Sequence, residues 1–232
     1  MANVVNYQKE LDKIIEKIVQ EKVVPTLLLH SCCAPCSSYC MEYLRQYFDL
    51  TVFYYNPNIT QEKEYRLRAE EEKRLIRLFN EQRSEGEHLI HIIEGDYEPE
   101  LFLEQSKGLE QCPEGGERCF RCYELRLRKT AQLAKEMGFD YFTTTLTISP
   151  LKNAEKLNQI GMKLAEEMGV NWLVSDFKKK NGYKRSIELS KQYQLYRQDY
   201  CGCGFSKAES MSKNGMAEDG MVKECVERGE KG

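Results

Sequence analysis

The chain has 232 residues, 41% of them hydrophobic and 31% charged, and a formal charge of −3. A chain of this length buries a core without disulfide staples. The charge excludes a globally basic nucleic-acid binder, and no apolar run approaches the roughly 20 residues that a membrane helix needs.

The N-terminal segment lacks the apolar centre of a signal peptide, so secretion is not expected and a cytoplasmic chain is. Its apolar positions Val4, Leu11, Ile14, Ile15, Ile18 and Val19 have helical spacing, predicting an amphipathic helix over 3–23 that stops at Pro25. Residues 26–30 read as a buried strand, 37–48 as a helix, and 50–55 as a second strand closed by Asn56-Pro57-Asn58. A long charged helix over 61–85 leads to a third strand at 89–93. Residues 98–118 are Pro- and Gly-punctuated, with one short helix near 99–105. Then come a helix over 118–137, a strand over 140–146, a helix over 153–168, a strand over 171–174 and a helix over 184–196. From Lys207 onward the composition is that of a polar, flexible tail.

Strands alternating with helices predict an α/β fold with a doubly wound, mainly parallel sheet, Rossmann-like or nucleotide-hydrolase-like. One domain is expected over residues 1–206, with the N-terminal helix added to it. Ligands of such sheets collect beyond the carboxyl ends of the strands.

Nine of the ten cysteines fall into three knots. Cys32-Cys33-Ala34-Pro35-Cys36, with Cys40 one helical turn on, follows the first strand. Cys112 precedes Cys119-Phe120-Arg121-Cys122. Cys201-Gly202-Cys203 forms the third, and Cys225 stands alone. In a cytosolic chain such thiols point to metal ligation or redox chemistry rather than a disulfide framework. Cys32 to Cys36 sit at a helix N-terminus, where the dipole and free N–H groups favour thiolates. Cys119 and Cys122 are a chelating pair on one helical face. Zinc and a cubane iron–sulfur cluster both take four such ligands. Nine clustered thiols exceed one four-ligand site, which leaves two metal sites, or one site beside a redox dithiol.

Cys40, Cys112 and Cys225 are expected to be small buried apolar residues. His30 is expected to be a hydrogen-bonded buried histidine supporting the ligands, and His91 a structural residue of strand three. Lys178, Lys179, Lys180, Lys184, Arg185 and Arg197 interleave with Tyr183, Tyr193, Tyr196 and Tyr200, a pattern that can hold phosphates and stack bases. Thr143 to Ser149 offers hydroxyls at a strand end, either a Thr-rich strand and turn or contacts to a polar substrate. No G-x-G-x-x-G or P-loop is present, so a nucleotide cofactor has no support.

Read together, His30 to Ser37, Phe53 to Ile59, Arg118 to Leu127, Phe142 to Leu146, Ser149 to Asn153, Asp176 to Lys179 and Leu195 to Cys203 resemble one family. The chain is similar, over roughly residues 26–206, to the cobalamin-independent epoxyqueuosine reductases, the QueH family. The resemblance implies reduction of the epoxide of epoxyqueuosine in tRNA to the alkene of queuosine, the last step of queuosine synthesis. It implies a [4Fe–4S] cluster beside a second metal ion, expected to be iron, with tRNA and an electron donor as partners. Assigned to the knots, the expected cluster ligands are Cys32, Cys33, Cys119 and Cys122. The expected ligands of the adjacent ion are Cys36, Cys201 and Cys203. Asp199 or Tyr200 is expected to protonate the leaving oxygen. Lys178, Lys179, Arg185, Arg197, Thr144 and Thr145 are expected to touch substrate. Two other readings are a zinc–thiolate RNA-binding protein without redox activity, and a thiol–disulfide oxidoreductase using Cys119 and Cys122.

Overall fold

A computed structural model describes residues 5–211. The elements run α1 (Tyr7–Glu21), β1 (Thr26–Ser31), α2 (Ala34–Leu44), β2 (Asp49–Tyr54), α3 (Glu62–Glu81), β3 (His91–Glu94) and α4 (Pro99–Ser106). They continue α5 (Glu117–Met137), β4 (Tyr141–Thr144), a 3₁₀ turn (Thr145–Ile148), α6 (Ala154–Met168), β5 (Asn171–Trp172) and α7 (Gly182–Gln192). Residues 204–211 are also helical, so helix continues past Lys207, where the sequence suggests a tail. Positions 212–232, Cys225 among them, lie outside the described residues.

All five strands are parallel, in the order β3-β2-β1-β4-β5. The expected doubly wound parallel sheet is thus the observed one. β1 is central, and its side chains alternate between two apolar layers. Leu27 and Leu29 join Leu11, Met41, Leu44, Leu75 and Phe79 on one face, under α1, α2 and α3. Leu28 joins Leu127, Ala131, Phe142, Leu157 and Trp172 on the other, under α5 and α6. Burial on both faces is why β1 reads as an uninterrupted apolar run rather than an alternating one.

The differences lie at element ends. β4 stops at Thr144 because the Thr144 hydroxyl accepts from the Leu146 amide and turns the chain into a 3₁₀ turn. β5 keeps only Asn171 and Trp172. Helix α2 begins three residues earlier than its periodicity suggests, with Cys33 as N-cap and Pro35 in the first turn, where a missing N–H costs nothing. Cys40 is buried in the α2-side core, as expected. Cys112 is only half-buried, because it lies in a turn whose amide bonds to the Leu109 carbonyl. No helix among the described residues is long and apolar enough to cross a membrane.

Candidate metal centre

Going from β1 the chain crosses to β2 on one side and β4 on the other, so their carboxyl ends diverge and open a crevice. The first cysteine knot sits at that point. β1 ends at Ser31, Cys32 follows, and Cys33 caps α2 with extended backbone. The Cys36 and Ser37 amides both bond to the Cys33 carbonyl, closing the first turn of α2 over the thiols. Thr145, just past β4, accepts from the Cys32 amide at 3.3 Å and donates to its Sγ at 3.5 Å. Cys32 Sγ and Cys33 Sγ lie 3.7 Å apart. Among the described residues, Cys32, Cys33 and Cys36 form a group whose three ligand atoms all lie within 4.8 Å of one another. Tetrahedral coordination at a metal–sulfur distance of about 2.3 Å places ligand sulfurs about 3.8 Å apart, so this spacing suits a single ion.

The loop after β2 brings in the third knot. Asn56 Nδ2 donates to the Ser31 carbonyl at 2.9 Å, fixing the end of β1. Two residues on, Asn58 Nδ2 donates to the Cys201 carbonyl at 3.2 Å, and Arg68 of α3 donates to the same oxygen at 3.2 Å. Gly202 has φ +114°, a conformation that L side chains rarely adopt, and it lets Cys201 and Cys203 turn their sulfurs to 3.4 Å. Cys119 and Cys122, in the first turns of α5, line a small cavity with Cys201, Cys203, Asn58, Tyr123 and Lys152. The Gly115 amide donates to Cys119 Sγ and the Ser206 amide to Cys203 Sγ, both at 3.3 Å. Backbone N–H groups aimed at sulfur favour the thiolate, the form that binds metal.

Charges are arranged around both thiol groups. Hydrogen bonds from the Cys33 and Cys36 thiols, and then the Arg126 charge, hold Cys32 well below the ordinary thiol range. Cys33 and Cys36 are pushed up in turn, because one negative charge is shared by the three. Cys201 is pulled down to about 5, first by the Cys203 thiol and further by Lys152. Burial alone would lower Lys152, but Cys201, Tyr123 and Glu114 outweigh it and the ammonium stays protonated. His30 is fully buried and held near 3, by burial first and then Arg126, so its imidazole is neutral. Nδ1 lies 2.8 Å from Thr144 Oγ1 and Nε2 lies 3.1 Å from the Tyr55 carbonyl. It is the hydrogen-bonded buried histidine that the sequence suggests.

A cavity of about 310 Å³ opens beside the first knot. Cys32, Cys33, Cys36 and Cys201 line it, together with Lys152, Arg197, Gln198, Asp199 and Tyr200. Of the residues expected to touch substrate or move a proton, the structure brings Arg197, Asp199 and Tyr200 to this wall. It leaves the others off the lining. Arg185 is held by Glu42 at 2.6 Å, and Lys178 by Asp176 at 2.8 Å. Lys179 is exposed elsewhere. Thr144 and Thr145 are buried beneath the thiols, where they serve His30 and Cys32. Lys152 and Arg126 line both cavities and carry no role in the sequence reading. Arg126 had a signal: it follows Cys122 by four residues and so shares its helical face.

The grouping of sulfurs offers a second division of ligands beside the expected one. Cys36 lies with Cys32 and Cys33, Cys203 lies with Cys119 and Cys122, and Cys201 lines both cavities. The second group has the number of thiols that a cluster takes. It offers four thiols, and Tyr123 on the same cavity has a buried hydroxyl with no hydrogen-bond partner among the described residues, a free donor for a sulfide.

Residues 27–209 match the family model described as epoxyqueuosine reductase QueH. The chain is 43% identical over 202 residues to the epoxyqueuosine reductase QueH of Streptococcus pyogenes serotype M1, covering 87% of this chain and 78% of that one. It is 44% identical over 204 residues to the Staphylococcus epidermidis protein of the same name (87% and 84% covered). To that of Thermotoga maritima it is 35% identical over 192 residues (82% and 94% covered). With seven thiols from three distant segments gathered at the crevice and this similarity along nearly its whole described length, the chain belongs to the epoxyqueuosine reductase QueH family, a family of oxidoreductases.

Proposed function

We propose that this protein reduces the epoxide of epoxyqueuosine in tRNA to the alkene of queuosine, the last step of queuosine synthesis. The reaction takes up two electrons and two protons and releases water. The observation that carries the reading is the convergence of two thiol groups on adjoining cavities that share Cys201, Lys152 and Arg126. Two thiol groups, one of three and one of four, support two different metal centres. A [4Fe–4S] cluster on Cys119, Cys122, Cys201 and Cys203, and a single iron on Cys32, Cys33 and Cys36, account for all seven. When bound, the cluster supplies electrons singly and the ion acts as a Lewis acid toward oxygen.

The chain's own residues do the rest. The cavity takes the modified base, with Gln198 and Asp199 on its wall as polar contacts. Tyr200 stacks against the Arg68 guanidinium, 5.2 Å from ring centroid to Cζ, and burial then Glu64 raise its pKa. Its hydroxyl therefore stays protonated and serves as the acid for the leaving oxygen, with Asp199 next to it as the other candidate. The partner is tRNA, which presents the base from a loop, and an external donor supplies the electrons.

The test is an anaerobic assay of iron-loaded protein on epoxyqueuosine-containing tRNA, read by nucleoside mass spectrometry. Brown protein that forms queuosine supports the reading. Colourless zinc protein that binds tRNA without turnover defeats it.

A further inference from the structure

Arg126 is 3% exposed and points into the space between the two thiol groups. Its Nη2 donates to Asn56 Oδ1 at 2.5 Å and its Nε lies 3.3 Å from His30 Nε2. Its Nη1 lies 4.0 Å from Cys122 Sγ. Its partners at Nη2 and Nε are a side-chain amide oxygen and an imidazole ring nitrogen, each facing an Arg126 N–H. Among the described residues no carboxylate comes within ion-pair distance of it. Two other cations of the crevice, Arg68 and Lys152, differ in this, and a third, Arg197, is exposed to solvent. Arg68 is paired with Glu64 at 2.7 Å, and Lys152 with Glu114 at 3.5 Å.

A buried guanidinium needs a counter-charge, since an isolated buried ion is strongly disfavoured. The anions within reach of Arg126 are thiolates. Its Nη1 lies 4.0 Å from Cys122 Sγ, and Arg126 lines the cavities of both thiol groups. Asn56 and His30 hold the guanidinium in place and leave its charge unspent.

We propose that Arg126, held by Asn56 and His30 with no carboxylate partner among the described residues, is the positioning residue that sets the reduction potential of the thiolate-bound cluster. This rests on the cluster reading above. A [4Fe–4S] centre with four thiolates gains one negative charge when it takes up one electron. A fixed positive charge beside a ligand sulfur stabilises the reduced form more than the oxidised one and raises the potential. Arg126 therefore lets a weaker external reductant load the cluster.

The experiment is an EPR-monitored redox titration of the reconstituted holoenzyme, with iron and sulfide measured on each sample. Arg126→Lys, which keeps the charge, is expected to titrate close to the wild type. Arg126→Gln is expected to bind the same iron and sulfide but to reduce at a more negative potential. Asn56→Asp sets a carboxylate against the guanidinium and neutralises it without removing it, and a shift in the same direction is expected. It keeps the test open if Arg126→Gln does not load. An unchanged potential in a fully loaded Arg126→Gln or Asn56→Asp protein overturns the proposal. Wild-type protein that never forms a cluster defeats the cofactor reading instead, so the two failures are distinct.

Discussion

Thr145 Oγ1 touches Cys32 twice, accepting from its amide at 3.3 Å and donating to its sulfur at 3.5 Å, and so ties the end of β4 to the end of β1. One hydroxyl bridges the two strands between which the crevice opens. Replacing it with valine keeps the shape but leaves the Cys32 amide without its acceptor, at a cost of about 1–3 kcal/mol. Thr145→Val is expected to lower the melting temperature and weaken iron retention, while Thr145→Ser stays near wild type. Equal melting and equal iron in all three proteins would contradict this role.

Cys203 separates the two ways of dividing the ligands. If Cys203 serves the cluster with Cys119, Cys122 and Cys201, Cys203→Ala loses the visible absorption of the cluster and Cys36→Ala keeps it. If Cys203 serves the single ion with Cys36, both variants keep that absorption and each loses about one of ~5 irons. The first outcome is expected, because the sulfur spacing groups Cys36 with Cys32 and Cys33.

Glu72 of α3 is fully buried. Burial raises its pKa to about 8, against a smaller downward pull from the Ser37 and Ser31 hydroxyls. In the unfolded chain it titrates near 4.3. Its contribution to stability is complete below that pH and is lost as the pH rises through the folded value. Glu72→Gln removes the dependence. The variant should gain on wild type by on the order of 3 kcal/mol between pH 4.5 and pH 7.5. Denaturant unfolding at both pH values checks it, and a constant difference would show that Glu72 ionises normally.

Gly161 faces Trp172 so closely that a Cβ would sit 2.2 Å from the indole. The ring has no room to yield, because its Nε1 donates to Asn158 Oδ1 at 3.0 Å. Alanine gains about 1 kcal/mol in helix propensity, but overpacking costs about 1–3 kcal/mol or more. The clash is expected to win, lowering the melting temperature of Gly161→Ala by several degrees at roughly 2–4 °C per kcal/mol. A rise in melting temperature would mean that α6 and β5 can separate.

Gln198 carries a buried amide oxygen that has no partner among the described residues and lies on the wall of the larger cavity. A substrate donor is its natural complement. Gln198→Leu is expected to raise KM about tenfold, equal to roughly 1.4 kcal/mol, with kcat and cluster absorption little changed. A fall in kcat at constant KM would place Gln198 in the chemistry rather than in binding.

The order and type of nearly every element were legible in the chain, because apolar periodicity is a local property. Leu27 to Leu29 announce a strand buried on both faces, and the amphipathic repeat of Tyr7–Glu21 announces a helix. The thiol knots were legible too, as short spacings that soft metals need. Element ends were less so: β4 stops early through a single side-chain hydrogen bond, from the Leu146 amide to Thr144 Oγ1. The basic run at Lys178 to Arg185 has partners that chain order hides, since Lys180 pairs with Asp12 and Arg185 with Glu42.

The sequence by itself determined that three groups of thiols exist and that a parallel sheet carries them to one edge. Only the tertiary structure decided which thiols meet. That choice is made by long-range contacts, such as Asn58 and Arg68 on the Cys201 carbonyl and Thr145 on Cys32, between residues more than a hundred positions apart. It also decided that Arg126 stands among the sulfurs without a carboxylate. A counter-charge is a matter of distance in space, and spacing along the chain carries no record of it.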